Sequence, residues 1–356
     1  MRLHFVLPQL EPLYGMELAA ALLIRGLQAH GVEVSATVLS RGVPAGLEDL
    51  SIDTLNLGSR ITRLMEAVPP LRRRLQALPA DVEIVASGLW GSVPVGAALA
   101  GAGRSFVAWE HSLLPERLRI DRRVRTLARI TRVGALRPRL VVAVSGGVAR
   151  TVRQLVPGQP VVTITNPLPP RPFVAPRDVV DRRRIQLLTT AAFRPYKNHS
   201  CALSALALLP DNYHLTLAGD GEERELLRTQ ARDLGLEGRA TFLGRVPGVG
   251  GLLAEADLLV HPSRAETFGF SLVEAAEAGL PVAALPVPAL DELIPALVPG
   301  ALAADTTPSA LAETVLRLTQ GGGRPGPADF EKAWHARCAA LDPAEVSRQW
   351  VEALQR

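Results

Sequence analysis

Between Asn166 and Arg177 the chain reads N-P-L-P-P-R-P-F-V-A-P-R. Proline at this density continues neither a helix interior nor a central strand, because each ring fixes φ and removes a backbone donor. The segment therefore reads as a break, and the same pattern lies on both sides of it. Short apolar runs of strand length alternate with longer stretches of helical spacing. Before the break the runs are Leu3–Leu7, Val32–Leu39, Glu83–Ala86, Ser105–Trp109, Leu140–Val144 and Val161–Ile164. After it come Gln186–Thr190, His214–Ala218, Ala240–Leu243 and Asp257–Val260. Strand, helix and parallel strand form the βαβ unit, whose crossover is right-handed. A chain of 356 residues exceeds one ordinary core, so two such domains are expected. We assign 1–170 to an N-terminal Rossmann-like domain, completed by the terminal helix 343–356. Residues 171–184 are a linker and 185–340 a C-terminal Rossmann-like domain. The expected architecture is α/β, two doubly wound domains facing across a cleft. G-G-G-R-P-G-P at 321–327 reads as a flexible connector.

Hydrophobic residues make up 47% and charged residues 21%, the balance of a globular protein. Cys201 and Cys338 lie far apart without metal-ligand spacing, which argues against zinc and against a disulfide framework. The first residues lack the apolar core of a signal peptide, and no run of membrane-spanning length is free of charge. A cytoplasmic location is expected. Charge is unevenly spread: residues 1–170 hold 20 Lys+Arg against 12 Asp+Glu, whereas 171–356 hold 19 against 23. Much of the excess sits in segment 117–139, where nine arginines (Arg117 to Arg139) face Asp121 alone, with Glu116 just before. Apolar residues interleave with them, as in an amphipathic helix. The segment is either a solvated basic face or a surface for anionic lipid, peripheral at the inner face of a membrane. No aromatic platform accompanies the arginines, so nucleic acid is not expected.

Residues 257–281 carry the clearest candidate site. Asp257–Val260 reads as a strand, His261 to Phe270 as a loop, and the stretch from Ser271 as a helix stopped by Gly279. Glu266 and Glu274 bracket the turn with seven residues between them. Ser271 followed by Glu274 fits a capping box, and Glu266 could be a solvated loop acid. The functional reading is that these carboxylates accept hydrogen bonds from sugar or ribose hydroxyls while the helix start binds phosphate.

Pro262, Ser263, Glu266, Phe268, Gly269, Glu274 and Ala275 fall in register with P-S-x-x-E-x-F-G-x-x-x-x-E-A. This resembles the E-x7-E signature of retaining GT-B glycosyltransferases of family 4 (group 1). The resemblance implies that Glu266 faces a donor sugar and Glu274 the ribose of its nucleotide. Phe268, Gly269, Phe270 and Ser271 complete that turn. Lys197 corresponds to a lysine gripping the donor diphosphate; Ala192 stands where the family usually has arginine, and Arg194 is the nearby substitute. G-D-G-E at Gly219 to Glu222 resembles a step in which Gly219 and Gly221 let backbone approach the donor. The nucleotide base is expected beside Gly244, Arg245 and Val246. Gly15 and Glu17 fit the family's Gly-Gly-x-Glu loop at the cleft, with Tyr14 replacing the first glycine. His111 matches a catalytic histidine at a strand end, and Ser145 a helix cap. In a second glycine loop Pro288 and Ala289 replace the glycines, while Glu292 fits.

The resemblance thus implies transfer of a sugar from a nucleotide-sugar donor to a sugar or lipid-linked hydroxyl with retention. No cofactor or metal is expected, and no Asp-x-Asp triplet occurs. Three alternatives stay open. A nucleotide-sugar epimerase shares the fold, and an inert binding subunit would suit the departures at Ala192 and Pro288. A dinucleotide redox enzyme ranks last because no G-x-G-x-x-G opens the first helix.

Overall fold

The structure is a computed structural model that describes residues 1–9, 15–40, 47, 49–57, 66–111, 122, 125–126, 137–169, 174, 183–287, 290–320 and 326–356. At Pro295, Ala296 and Pro327 the backbone alone is described. Tyr14, the pair Pro288–Ala289, most of the 171–184 linker, residues 321–325 and most of the arginine-rich segment lie outside the described residues. The chain divides into two compact units, Met1–Pro170 with Ala339–Arg356, and Arg171–Cys338.

The first unit is built on seven parallel strands: β1 (Arg2–Leu7), β2 (Glu33–Val38), β3 (Ser51–Thr54), β4 (Val82–Ser87), β5 (Val107–Glu110), β6 (Leu140–Ala143) and β7 (Val161–Thr163). Their order is β3-β2-β1-β4-β5-β6-β7. Sequence periodicity missed β3, whose S-I-D-T has no fully buried position and hence no apolar alternation. β1 lies inside the sheet between β2 and β4 and is buried from Leu3 to Leu7, as a parallel strand covered on both faces must be. Helices α1 (Gly15–Ala29), α2 (Val68–Ala77), α3 (Gly88–Leu99) and α4 (Gly146–Leu155) supply crossovers. Ser145 caps α4 by accepting from the Val148 N–H at 3.4 Å.

The second unit alternates strictly. β8 (Ile185–Thr190), α5 (His199–Ala207), β9 (Tyr213–Ala218), α6 (Arg224–Asp233) and β10 (Ala240–Gly244) form its first half. α7 (Gly250–Glu255), β11 (Leu258–His261), α8 (Phe270–Glu277), β12 (Val282–Ala284), α9 (Leu290–Leu297), β13 (Gly300–Leu302), α10 (Pro308–Thr319) and α11 (Pro327–Leu341) follow. The sheet order is β10-β9-β8-β11-β12-β13, all parallel. β12 and β13 span three residues each, and the sequence reading missed both. Winding runs outward from β8 to β10 and restarts at β11. The carboxyl ends of β8 and β11 therefore flank a topological switch point, the position where open α/β sheets bind ligands.

α12 (Pro343–Gln355) returns the chain to the first unit. Asp342 caps it, accepting from the Ala344 and Glu345 N–H groups at 2.9 and 3.1 Å, with Pro343 at the first helical position. It packs on α1 so closely that a Cβ on Gly26 would stand 2.1 Å from the Ser347 Oγ. Trp350 of α12 is fully buried, its ring 5.6 Å from Trp109 and 6.3 Å from Phe5.

Candidate active site

At the carboxyl end of β8 the chain turns through Ala191 to Lys197. Residues Pro195–Lys197 form one turn of 3-10 helix, ended by Asn198 in the left-handed conformation (φ 56°). At the end of β11 the loop Pro262–Gly269 rises beside it. The Arg264 N–H donates to the Tyr196 carbonyl at 2.8 Å, stitching the two loops together. The stitch sets Lys197 against Glu266: Nζ lies 2.6 Å from Oε2. The other oxygen, Oε1, accepts from the N–H groups of Thr267 (3.1 Å) and Gly269 (3.2 Å).

Glu266 is 9% exposed. Burial opposes its ionisation, but Lys197 first and then His261 outweigh it and hold the carboxyl well below the usual carboxylate range. His261 is the last residue of β11, not the first of the loop as the sequence suggested. Its Nε2 approaches Oε2 to 3.3 Å without completing a hydrogen bond, and its Nδ1 lies 3.4 Å from the Ser271 Oγ. Sequence reasoning missed this histidine. The available signal was a lone polar residue closing an apolar strand at the switch point.

The capping box does not form. α8 starts at Phe270, with Gly269 as its cap residue at φ 79°, so Ser271 and Glu274 are both inside the helix. A Cβ at Gly269 would also meet Leu272 Cδ1 at 2.6 Å. At the far end the Gly279 and Leu280 N–H groups return to Ala276 and Ala275, a Schellman closure. Glu274 is half-buried and engaged. Phe268 is buried edge-on against Phe270, with centroids 4.9 Å apart.

Gly219 and Gly221 sit in a tight strand-to-helix turn. A Cβ on Gly219 would fall 1.9 Å from the Ala191 carbonyl, and one on Gly221 2.4 Å from that of Phe193. Their small size lets this turn nest against the turn after β8, where the Phe193 N–H donates to the Asp220 carbonyl at 3.0 Å. The Gly219 N–H donates to the Gly244 carbonyl at 2.9 Å, which brings the exposed Arg245 and half-buried Val246 beside the same turn. Arg194 is half-exposed and paired with Glu222 at 3.2 Å, not with the Glu266 cluster.

In the first unit, His111 follows β5 and its ring lies edge-on to Trp109, centroids 4.4 Å apart. Its Nε2 is buried without a hydrogen-bond partner, and burial lowers its pKa to about 3, so the ring is neutral. Gly15 opens α1, and the buried Glu17 accepts from Gln9 Nε2 at 2.7 Å. Among the described residues no group of three His, Cys, Asp or Glu is placed to hold a metal ion. Among them, too, no helix is long and apolar enough to cross a membrane.

Two doubly wound parallel units, the second with a lysine and a glutamate joined at its switch point, place the chain in the GT-B class of α/β folds. Residues 14–171 match the family described as Glycosyltransferase Family 4, and residues 176–333 the one described as Glycosyl transferases group 1. The chain belongs to the family-4, group 1 glycosyltransferases. It is 34% identical over 122 residues to the 2-deoxystreptamine glucosyltransferase of Streptomyces kanamyceticus, covering 33% of this chain and 32% of that relative. It is likewise 34% identical over 122 residues to the GDP-mannose-dependent alpha-(1-6)-phosphatidylinositol dimannoside mannosyltransferase of Mycobacterium tuberculosis, covering 33% and 31%. The chain thus spans about a third of these curated relatives. The crystal structure of Anabaena HepE in complex with UDP-glucose superposes with a TM-score of 0.80 at 22% identity, over 100% of this chain and 99% of that one. At that identity the likeness is one of fold.

Proposed function

We propose that the protein transfers a sugar from a nucleotide-sugar donor to an acceptor hydroxyl with retention at the anomeric carbon. The observation that carries this reading is the Lys197–Glu266 pair at the switch point of the second sheet. An ammonium there meets a diphosphate, and an ionised carboxylate beside it accepts from sugar hydroxyls. Arg194 and Lys197 bind the diphosphate. The turn at Gly219 and Gly221, Arg245 with Val246, and residues Phe268 to Ser271 enclose the nucleotide, and Glu274 holds the ribose. In the first unit Gly15, Glu17 and the neutral His111 serve the acceptor and the transferred sugar.

In this reading the bond from the anomeric carbon to the diphosphate oxygen breaks as the acceptor oxygen bonds to the same face. The acceptor proton passes to the departing phosphate. Lys197, Arg194 and backbone N–H groups meet the charge that develops there, and the reading calls for no metal. HepE was crystallised with UDP-glucose and the mycobacterial relative is named for GDP-mannose, so UDP- and GDP-sugars are the first donors to test. That relative is also named for a phosphatidylinositol-based acceptor. It supports a lipid-linked acceptor reached from an anionic membrane surface through segment 117–139, on the cytoplasmic side.

A thermal-shift screen against UDP-, GDP-, ADP- and dTDP-sugars tests the proposal, because a ligand that binds only the folded chain raises its melting temperature. One of them should shift the melt, and Lys197→Ala should abolish the shift. Indifference to all four would refute donor binding.

A further inference from the structure

We propose that His261 is a positioning residue for this transfer: it takes over the Oε2 oxygen of Glu266 when the donor diphosphate draws Lys197 away. The inference rests on the reading that Lys197 binds the diphosphate and Glu266 faces the sugar.

Lys197 has two claims on it. In this structure its ammonium lies 2.6 Å from Glu266 Oε2. A diphosphate carries more negative charge than one carboxylate and takes charge-assisted bonds from the same ammonium. Once Lys197 turns to it, Glu266 keeps the Thr267 and Gly269 N–H groups on Oε1. Oε2 is then a buried acceptor short of a donor, and an unsatisfied buried group bears its full desolvation cost.

His261 Nε2 is the atom placed to answer. It stands 3.3 Å from Oε2, on a side chain only 4% exposed, and it has no hydrogen-bond partner. A buried ring nitrogen without a partner needs a reason, and a donor engaged only in the liganded state supplies one. Ser271 completes the arrangement. With its O–H donating to Nδ1 across 3.4 Å, the neutral ring carries its proton on Nε2, aimed at Oε2. Burial above all keeps the ring neutral, with Glu266 opposing and Lys197 adding to the effect. Ser271 lies in the first turn of α8, so the imidazole also ties the loop carrying Glu266 to the helix carrying Glu274.

Two variants of the full-length chain test this. His261→Gln can place an amide N–H near Nε2; His261→Leu fills similar space and donates nothing. Calorimetry reads affinity for UDP, GDP and ADP and for UDP-glucose, GDP-mannose and ADP-glucose, and acceptor-free hydrolysis of each sugar nucleotide is followed alongside. All three proteins should bind the preferred diphosphate equally well. His261→Leu should lose the extra affinity conferred by the sugar and hydrolyse it about 10- to 100-fold more slowly, the scale of one lost hydrogen bond to a charged group. His261→Gln should keep most of both. The proposal is overturned if His261→Leu matches wild type, if His261→Gln falls as far as His261→Leu, or if diphosphate affinity drops in step with hydrolysis. If wild-type protein binds none of the six nucleotides, the donor reading itself fails and takes this inference with it.

Discussion

Arg337 and Glu277 meet at 2.6 Å with only 1% and 7% of their side chains exposed, a buried ion pair between α11 and the last residue of α8. Removing one partner strands the other charge away from water. Glu277→Leu should therefore cost about 3–5 kcal/mol in chemical denaturation. The double replacement Arg337→Met with Glu277→Leu should recover most of that loss, since two apolar side chains of similar volume need no compensation. A double variant as unstable as the single one would mean that packing, not charge, sets the cost.

Glu274 sits one turn before Glu277 on the same helix. Glu274→Gln should weaken binding of the preferred nucleotide sugar by about 1–3 kcal/mol and leave the melting temperature of the free protein unchanged. Calorimetry and a thermal melt on one preparation check both halves. Unaltered donor affinity would return Glu274 to a structural role on α8.

Four histidines whose pKa is lowered chiefly by burial, His4, His111, His199 and His261, set the acid limit. Burial lowers the pKa of His111 and His199 to about 3 and that of His4 to about 4, from an unfolded value of 6.5. The neutral ring is favoured in the fold, so the unfolded chain binds more protons between those values. Stability is fully present above pH 6.5 and falls as the pH drops toward 4. His4, His111 and His199 alone should bring the slope to about 4 kcal/mol per pH unit, from about 1.4 per proton, and His261, lowered in the same direction, adds to it. His199→Leu should reduce that slope by about 1.4 kcal/mol per pH unit, the share of one proton. A denaturation series from pH 7.5 to 4.5 reads it directly, and a flat profile would contradict the buried neutral state.

Segment 117–139 should bind vesicles containing phosphatidylserine and ignore neutral ones, with binding lost as salt rises. Each engaged arginine contributes about 1 kcal/mol near such a surface, so four hold the protein reversibly. Co-sedimentation across a salt series is the measurement. Binding indifferent to lipid charge would leave a soluble acceptor as the better candidate.

The two winding series were legible because parallel strands buried on both faces leave plain apolar runs, as in Leu140–Ala143 and Leu258–Val260. Three strands escaped: Ser51–Thr54 has no buried position, and β12 and β13 are three-residue runs of small residues, V-A-A and G-A-L, without the β-branched pair that marks the equally short β7. At the site, the spacing of Glu266 and Glu274 marked the loop and the helix that carry them. It could not show that Glu266 Oε2 pairs with Lys197 and that His261 Nε2 stands 3.3 Å from the same oxygen, because that depends on two strands meeting at a switch point. Nor could it show that Gly219 and Gly221 let one turn nest against another. Gly219 faces the Ala191 carbonyl, a contact between residues far apart in the chain.

α11 starts among the residues of the second unit and ends at Leu341, where the Leu168 N–H donates to the Leu341 carbonyl at 2.8 Å and Thr165 Oγ1 to that of Ala340 at 3.2 Å. The second unit is thus inserted in the chain of the first, between Pro170 and Ala339. A cut at residue 170 would leave an incomplete first unit whose Trp109, Phe5 and Gly26 lie bare where Trp350 and Ser347 should cover them. Residues 171–338, by contrast, form one uninterrupted cassette. Exchange of that cassette between family members at its two borders is the recombination that this connectivity permits, with residues 1–170 and 339–356 of the first unit left in place.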